Sequence, residues 1–213
     1  NTVHHSKYKN CDALLNENYS DRRLPKNVHD VYLGNKEIFD RYPDRKYLIT
    51  EYLPTCVGKT LGVGCHVFNK NDAFCLPTPS DYETIDISDK WKMYGSSFKH
   101  TTVDFLAYLP SYKFNHIVLF GVMGIPYQSE GDDDTYSLYR RDEETIKHVD
   151  ELLNVNGTVL LGPDFSIDQS KSMKDKINYW DNFIKNNEIL KSKYKLVKQF
   201  RTVLNYVIVC KKL

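Results

Sequence analysis

The sequence predicts an α/β fold: a mostly parallel sheet of seven strands, finished by an antiparallel hairpin and covered by helices on both faces. Three observations predict it. An apolar run, Thr60-Leu61-Gly62-Val63-Gly64, ends in glycine, and a second run, Tyr82-Glu83-Thr84-Ile85-Asp86, ends in an acid. A separation of about twenty residues is the spacing at which an α/β nucleotide site brings bare backbone to a ligand and a carboxylate to a ribose. Strand-like runs then alternate with helical periodicity, which implies parallel strands joined by helical crossovers. The chain finishes with two β-rich runs separated by a short turn, which implies antiparallel strands added to the parallel set.

Each element follows from local pattern. Residues 1–30 are polar with little periodicity, and at most one helix is expected, near 9–16. Residues 35–41 and 44–52 read as helical pieces interrupted by Pro43 and stopped by Pro54. Strands are expected at Lys59–Val63, Tyr82–Ile85 and Lys99–Val103. Asn115–Phe120 holds four consecutive apolar residues, as a strand buried on both faces does. Residues 121–139 form a loop with Asp132, Asp133 and Asp134 in sequence. Arg140–Leu153 is amphipathic, with Ile146, Val149, Leu152 and Leu153 on one face, and Asn156-Gly157 is the expected stop. Thr158–Leu161 is a fifth strand, residues 174–191 one long helix, and Tyr194–Phe200 with Val203–Cys210 the closing hairpin. Residues 1–55 are therefore an N-terminal helical arm or lid, and residues 56–213 the main domain.

Composition narrows the function. In 213 residues, 29 Lys and Arg balance 28 Asp and Glu, so the overall charge lacks the basic footprint of a nucleic-acid binder. No apolar run approaches the length of about 18 residues that suggests a membrane span. The five cysteines are scattered without a CxxC, and read as free thiols of a reducing, cytoplasmic compartment. No metal site is expected. Neither Gly-Lys-Ser nor Gly-Lys-Thr is present, which excludes a P-loop. The chain begins at Asn1 rather than Met, which suits a domain of a longer, multidomain protein.

The expected strand ends carry Gly64, Asp86, Asp104, Gly121 and Asp164. Ligands of open α/β sheets bind beyond those ends. Three carboxylates and two glycines suit a ligand with a ribose, an exocyclic amine and a cationic centre. His100 and His116 sit before or inside strands and read as structural, and His148 as a solvent-facing helix residue.

Taken together, these motifs resemble the class I S-adenosylmethionine-dependent methyltransferases over about residues 56–213. Leu61-Gly62-Val63-Gly64-Cys65 sits in the frame of the family's first motif, with Gly62 where an acid is usual, and His66 and Phe68 where glycines are usual. Thr84-Ile85-Asp86-Ile87 matches the second motif, Thr102-Val103-Asp104-Phe105 the third, and Ile117 to Gly124 the fourth. The resemblance implies a Rossmann-like methyltransferase sheet and S-adenosylmethionine as cofactor. It implies that Gly62 and Gly64 line the cofactor with backbone and that Asp86 holds the ribose. It implies further that Asp104 meets the adenine amine, Phe105 packs on the ring, and Gly121 ends the strand beneath the methyl donor. His66 is a candidate contact for the cofactor carboxylate, Asp164 for the general base and Tyr127 for the acceptor pocket. The expected reaction is O-methylation of a sugar or other small-molecule hydroxyl, as in domains of larger glycan-synthesis proteins, with no nucleic acid and no membrane as partner. Two other readings stay open: a non-catalytic binding module of the same fold, and a glycosyltransferase whose Asp132-Asp133-Asp134 run holds a metal for a nucleotide sugar.

Overall fold

The computed structural model describes residues 47–64, 81–86, 99–123, 138–163, 172–201 and 206–213. The helical expectations at 9–16 and 35–41 lie outside the described residues, as do His66, Tyr127, the Asp132–Asp134 run and Asp164. The chain divides into two compact units, Asn1–Asp104 and Phe105–Leu213.

The first unit opens with α1, a π-helical turn Leu48–Tyr52 that runs into a short α-helical segment Leu53–Thr55. Pro54 does not stop this helix as the sequence reading expected. The backbone N–H of Leu53 reaches back five residues to the Leu48 carbonyl, and Pro54 then falls in the first turn of the α segment, where a missing N–H costs little. Leu48, Tyr52 and Leu53 are buried. Three parallel strands follow: β1 Thr60–Val63, β2 Tyr82–Asp86 and β3 Lys99–Thr102. Every residue of β1 and β2 is buried. The two strands align Thr60 with Tyr82 and Gly62 with Thr84, while Thr84 and Asp86 align with His100 and Thr102. Alternation along a strand therefore collects Thr60, Gly62, Tyr82, Thr84, Asp86, His100 and Thr102 on one polar face, and Leu61, Val63 and Ile85 on the other.

The second unit begins with a 3-10 turn, Phe105–Ala107, and the ten-residue strand β4, Phe114–Met123. Helix α2, Leu138–Leu152, packs on β4 and on β5, Leu153–Pro163, through Ile146, Val149 and Leu152. The β5 strand starts at Leu153, three residues before the expected stop at Asn156-Gly157. Asn156 takes φ 65° inside the strand, where the β4–β5 register shifts between Phe114 and His116, so this pair makes a bulge rather than ending a helix. The expected long helix is two: α3, Met173–Asn186, and α4, Glu188–Lys193. Asn187 breaks it, because its backbone is extended and its side chain accepts a hydrogen bond from the Leu190 N–H at 3.0 Å, an N-cap. The edge strand β6, Tyr194–Arg201, pairs antiparallel with β7, Tyr206–Lys212, and β7 pairs antiparallel with β5. The seven strands run in the order β3-β2-β1-β4-β5-β7-β6. This is the mixed, mostly parallel sheet that the sequence predicts.

Candidate functional site

In the first unit, the carboxyl ends of three parallel strands finish in step. The Gly64 N–H donates to the Ile85 carbonyl at 2.9 Å, and the Val103 N–H donates to the Asp86 carbonyl at 2.8 Å. These bonds carry the ladder one residue past β1 and β3. Gly64 (φ 77°), Asp86 and Asp104 are thereby set at neighbouring strand tips. Asp86 is only 7% exposed, and Asp104 is half-buried. Thr102 stands beside Asp86 in register, and its Oγ1 is buried with no hydrogen-bond partner among the described residues. A carboxylate accepts hydrogen bonds only, whereas a hydroxyl both donates and accepts. Side by side, the two suit a ligand rich in hydroxyl groups.

Gly62 lies one pleat back from the tip and is explained by its neighbour. A Cβ built there would run into the hydroxyl of Tyr82 and come within 3.4 Å of the Thr84 methyl. The Tyr82 ring thus fills the space that a side chain at 62 would take, which accounts for glycine at the position where the family frame has an acid. Farther along the same face, the Thr84 hydroxyl pairs with His100 Nδ1 at 2.8 Å, the structural role expected of that histidine.

In the second unit, Gly121 sits near the carboxyl end of β4 with φ 72°, where the register with β5 slips between Phe120 and Met123. An L side chain is strained in that conformation even though nothing lies within 4 Å of a Cβ placed there. Phe105 is buried, its ring standing edge-on to His148 with centroids 4.8 Å apart. His148 is itself buried rather than solvent-facing as expected. Its Nε2 hydrogen-bonds the Tyr108 carbonyl at 2.9 Å, and its Nδ1 lies 3.5 Å from the Glu151 carboxylate. The chain just after Asp104 is therefore fastened to α2 by a ring contact and a hydrogen bond. His116, again as expected, is structural: its Nδ1 pairs with the Thr158 hydroxyl at 2.7 Å.

Among the described residues no group of three or more His, Cys, Asp or Glu is placed to hold a metal, and no helix is long and apolar enough to cross a membrane. Cys56 and Cys210 are buried free thiols, and burial pushes both up to about 12.

The chain superposes on N-methyltransferase NodS from Bradyrhizobium japonicum in complex with S-adenosyl-L-homocysteine, with TM-score 0.54 and 13% identity over 99% of each chain. The fold is the Rossmann-like methyltransferase fold. The 16S rRNA methyltransferase RmtF, also bound to S-adenosyl-L-homocysteine, matches with TM-score 0.53 and 11% identity over 98% of this chain and 76% of its own. The ribosomal protein L11 methylase of Lactobacillus delbrueckii subsp. bulgaricus gives TM-score 0.51 and 13% identity over 81% and 78%. No protein-family model and no curated sequence matches the chain.

Within this fold, Gly64, Asp86 and Asp104 lie at or just past the carboxyl ends of the neighbouring strands β1, β2 and β3. Sequence reasoning named Thr102 and Tyr82 only as motif and strand residues, and set His148 toward solvent. The first two were signalled by strand alternation, which puts them on the face of Gly62 and Asp86. The signal for His148 was its place one residue before Val149, which could have put it on the flank of the apolar stripe.

Proposed function

We propose that the protein is an S-adenosylmethionine-dependent methyltransferase acting on a hydroxyl of a sugar or other small molecule. The observation that carries the reading is the alignment of Gly64, Asp86, Thr102 and Asp104 at adjacent parallel strand tips. The Asp86 carboxylate accepts the two hydrogens of a ribose diol, and the Thr102 hydroxyl, buried with no partner among the described residues, supplies a further polar contact beside it. Asp104 accepts from the adenine amine. Gly64 lets the ligand approach bare backbone. His66 takes the carboxylate of the amino-acid portion. Phe105 acts through packing, fixing the chain after Asp104, more than by stacking on a ring.

S-adenosylmethionine, when bound, supplies a methyl group already activated by its sulfonium. What remains for the protein is to orient an acceptor oxygen in line with that carbon and to remove its proton. Asp164 is the base assigned here, and Tyr127 lines the acceptor pocket.

Calorimetric titration with S-adenosyl-L-homocysteine tests the cofactor reading. Asp86→Ala should weaken binding by about 1–3 kcal/mol through lost charged hydrogen bonds. Unchanged affinity would overturn the assigned frame. A parent protein that takes up no ligand at millimolar concentration would favour a non-catalytic module of the same fold. Radiolabelled methyl transfer then tests the acceptor side: Asp164→Asn should lower turnover far more than cofactor affinity, and equal turnover removes Asp164 from the role of base.

A further inference from the structure

The near-neutral balance of the whole chain hides a strong asymmetry. Residues 185–213 carry eight of the 29 basic residues and, in Glu188, one of the 28 acidic residues. Three of the eight are held: Lys193 and Lys212 by Asp150, and Arg201 by Asp181. Lys185, Lys191, Lys195 and Lys211 are exposed and make no ion pair among the described residues.

Two of these four face each other. Lys195 of β6 is directly opposite Lys211 of β7 in the antiparallel register. Like charges in that position repel and destabilise a sheet. The same row continues inward: Lys211 is opposite Thr158 of β5, and Thr158 is opposite His116 of β4, the two joined by their 2.7 Å hydrogen bond. Four neighbouring strands thus present His116, Thr158, Lys211 and Lys195 in one line, about 14 Å long at the usual strand spacing. The line lies away from α2. Successive residues of a strand point to opposite faces, and it is Lys212, not Lys211, that turns to α2 and Asp150.

We propose that this row on the β4–β5–β7–β6 face binds the phosphate backbone of a single-stranded nucleic acid. A run of phosphates relieves the Lys195–Lys211 repulsion, because each lysine can meet its own charge. It also suits the shape of the row, which is linear and ends inward in half-buried hydrogen-bonding side chains rather than in an apolar wedge. Neighbouring cations fit discrete phosphate oxygens. Leu196, Val197 and Leu213 are exposed beside the two lysines, so vesicle binding is the outcome that separates a lipid surface from a nucleic acid. The proposal is independent of the cofactor reading and concerns a different set of residues.

The test is fluorescence anisotropy of the full chain with a fluorescein-labelled 15-nucleotide RNA of mixed sequence, from 50 to 300 mM NaCl. The parent should bind at 50 mM, with affinity falling linearly on a double-logarithmic salt plot. The pair Lys195→Gln with Lys211→Gln should weaken binding at least tenfold, and reduce the salt slope by about 1.4, the loss expected for two phosphate contacts on a single strand. Lys147→Gln with Lys174→Gln removes the same charge from exposed positions on α2 and α3, and should leave binding as in the parent. Circular dichroism checks the fold. If the double variant is unfolded, the single variants decide, each expected to reduce the slope by about half as much. No anisotropy change in the parent at 50 mM overturns the proposal. So does equal loss in the two double variants, and so does binding to phosphatidylserine vesicles without binding to RNA.

Discussion

Gly62 shows how a single residue can be read correctly in position and incompletely in cause. The glycine stands out in the sequence, and its place in a motif frame suggests backbone exposed to a ligand. The structure adds the Tyr82 ring, whose hydroxyl occupies the space above it. That contact joins two strands about twenty residues apart, and no pattern within β1 could announce it. Gly62→Ala should therefore destabilise the protein by about 1–3 kcal/mol through overpacking. Adding Tyr82→Phe removes the clashing oxygen and should restore part of the loss, read as a partial return of the urea midpoint. Strictly additive losses in the double variant would show that the hydroxyl is not the obstacle. Gly121 is a different case. Its surroundings are open but its φ is 72°, so Gly121→Ala should cost about 1–2 kcal/mol through the backbone alone, with no partner substitution able to recover it.

At the scale of elements, every strand expected among the described residues is present, because apolar runs bounded by turn residues fix existence and type well. Boundaries were legible only where a local signal decided them. Ser172 caps α3 by accepting from the Asp175 N–H at 3.2 Å, a motif visible in sequence as Ser-x-x-Asp. The division between α3 and α4 was not legible, since the sequence on either side of Asn187 stays helical in composition and only the extended backbone at that residue separates them. Asn187→Ala should cost about 0.5–2 kcal/mol as a lost cap, detected as a lower unfolding midpoint, and Asn187→Asp should retain most of the parent's stability. His148 was misplaced because a polar side chain on an amphipathic helix is expected to face water. It is buried because the Tyr108 carbonyl, which belongs to the chain before β4, supplies its hydrogen-bond partner. His148→Leu removes the ring's hydrogen bond to that carbonyl and should cost about 1–3 kcal/mol.

For the molecule as a whole, net charge was the least informative number in the sequence, because it averages a basic C-terminal segment over an acidic remainder. The pairings that organise this charge are long-range and invisible along the chain. Asp150, near the end of α2, is the centre of them. Its carboxylate receives Lys193 Nζ at 2.7 Å, Lys212 Nζ at 2.9 Å and the Tyr194 hydroxyl at 3.1 Å, and Lys212 also donates to the carbonyls of Asp150 and Leu153. One side chain thereby fastens α2 to the start of β6, just after α4, and to the end of β7. Burial alone would raise this carboxyl, but the hydrogen bonds from Lys193 and Lys212, the Lys212 charge and the Tyr194 hydroxyl outweigh it and hold Asp150 below the ordinary carboxylate value. A carboxyl depressed by folding stabilises the native state at pH values above its unfolded value of about 3.9, and that contribution is lost as pH falls through the lower, folded value. The parent should thus lose stability progressively below about pH 4, and part of that loss belongs to Asp150. In Asp150→Asn the Lys212 ammonium, 12% exposed, keeps its burial and loses its counter-charge. The variant should be less stable at pH 7 by about 3 kcal/mol. The difference between variant and parent should narrow as pH drops below about 4, because the parent's own carboxylate is then being neutralised. Urea titrations at pH 7, 5, 4 and 3 read both effects, and a difference that stays constant across that range would exclude Asp150 as the acid-sensitive link.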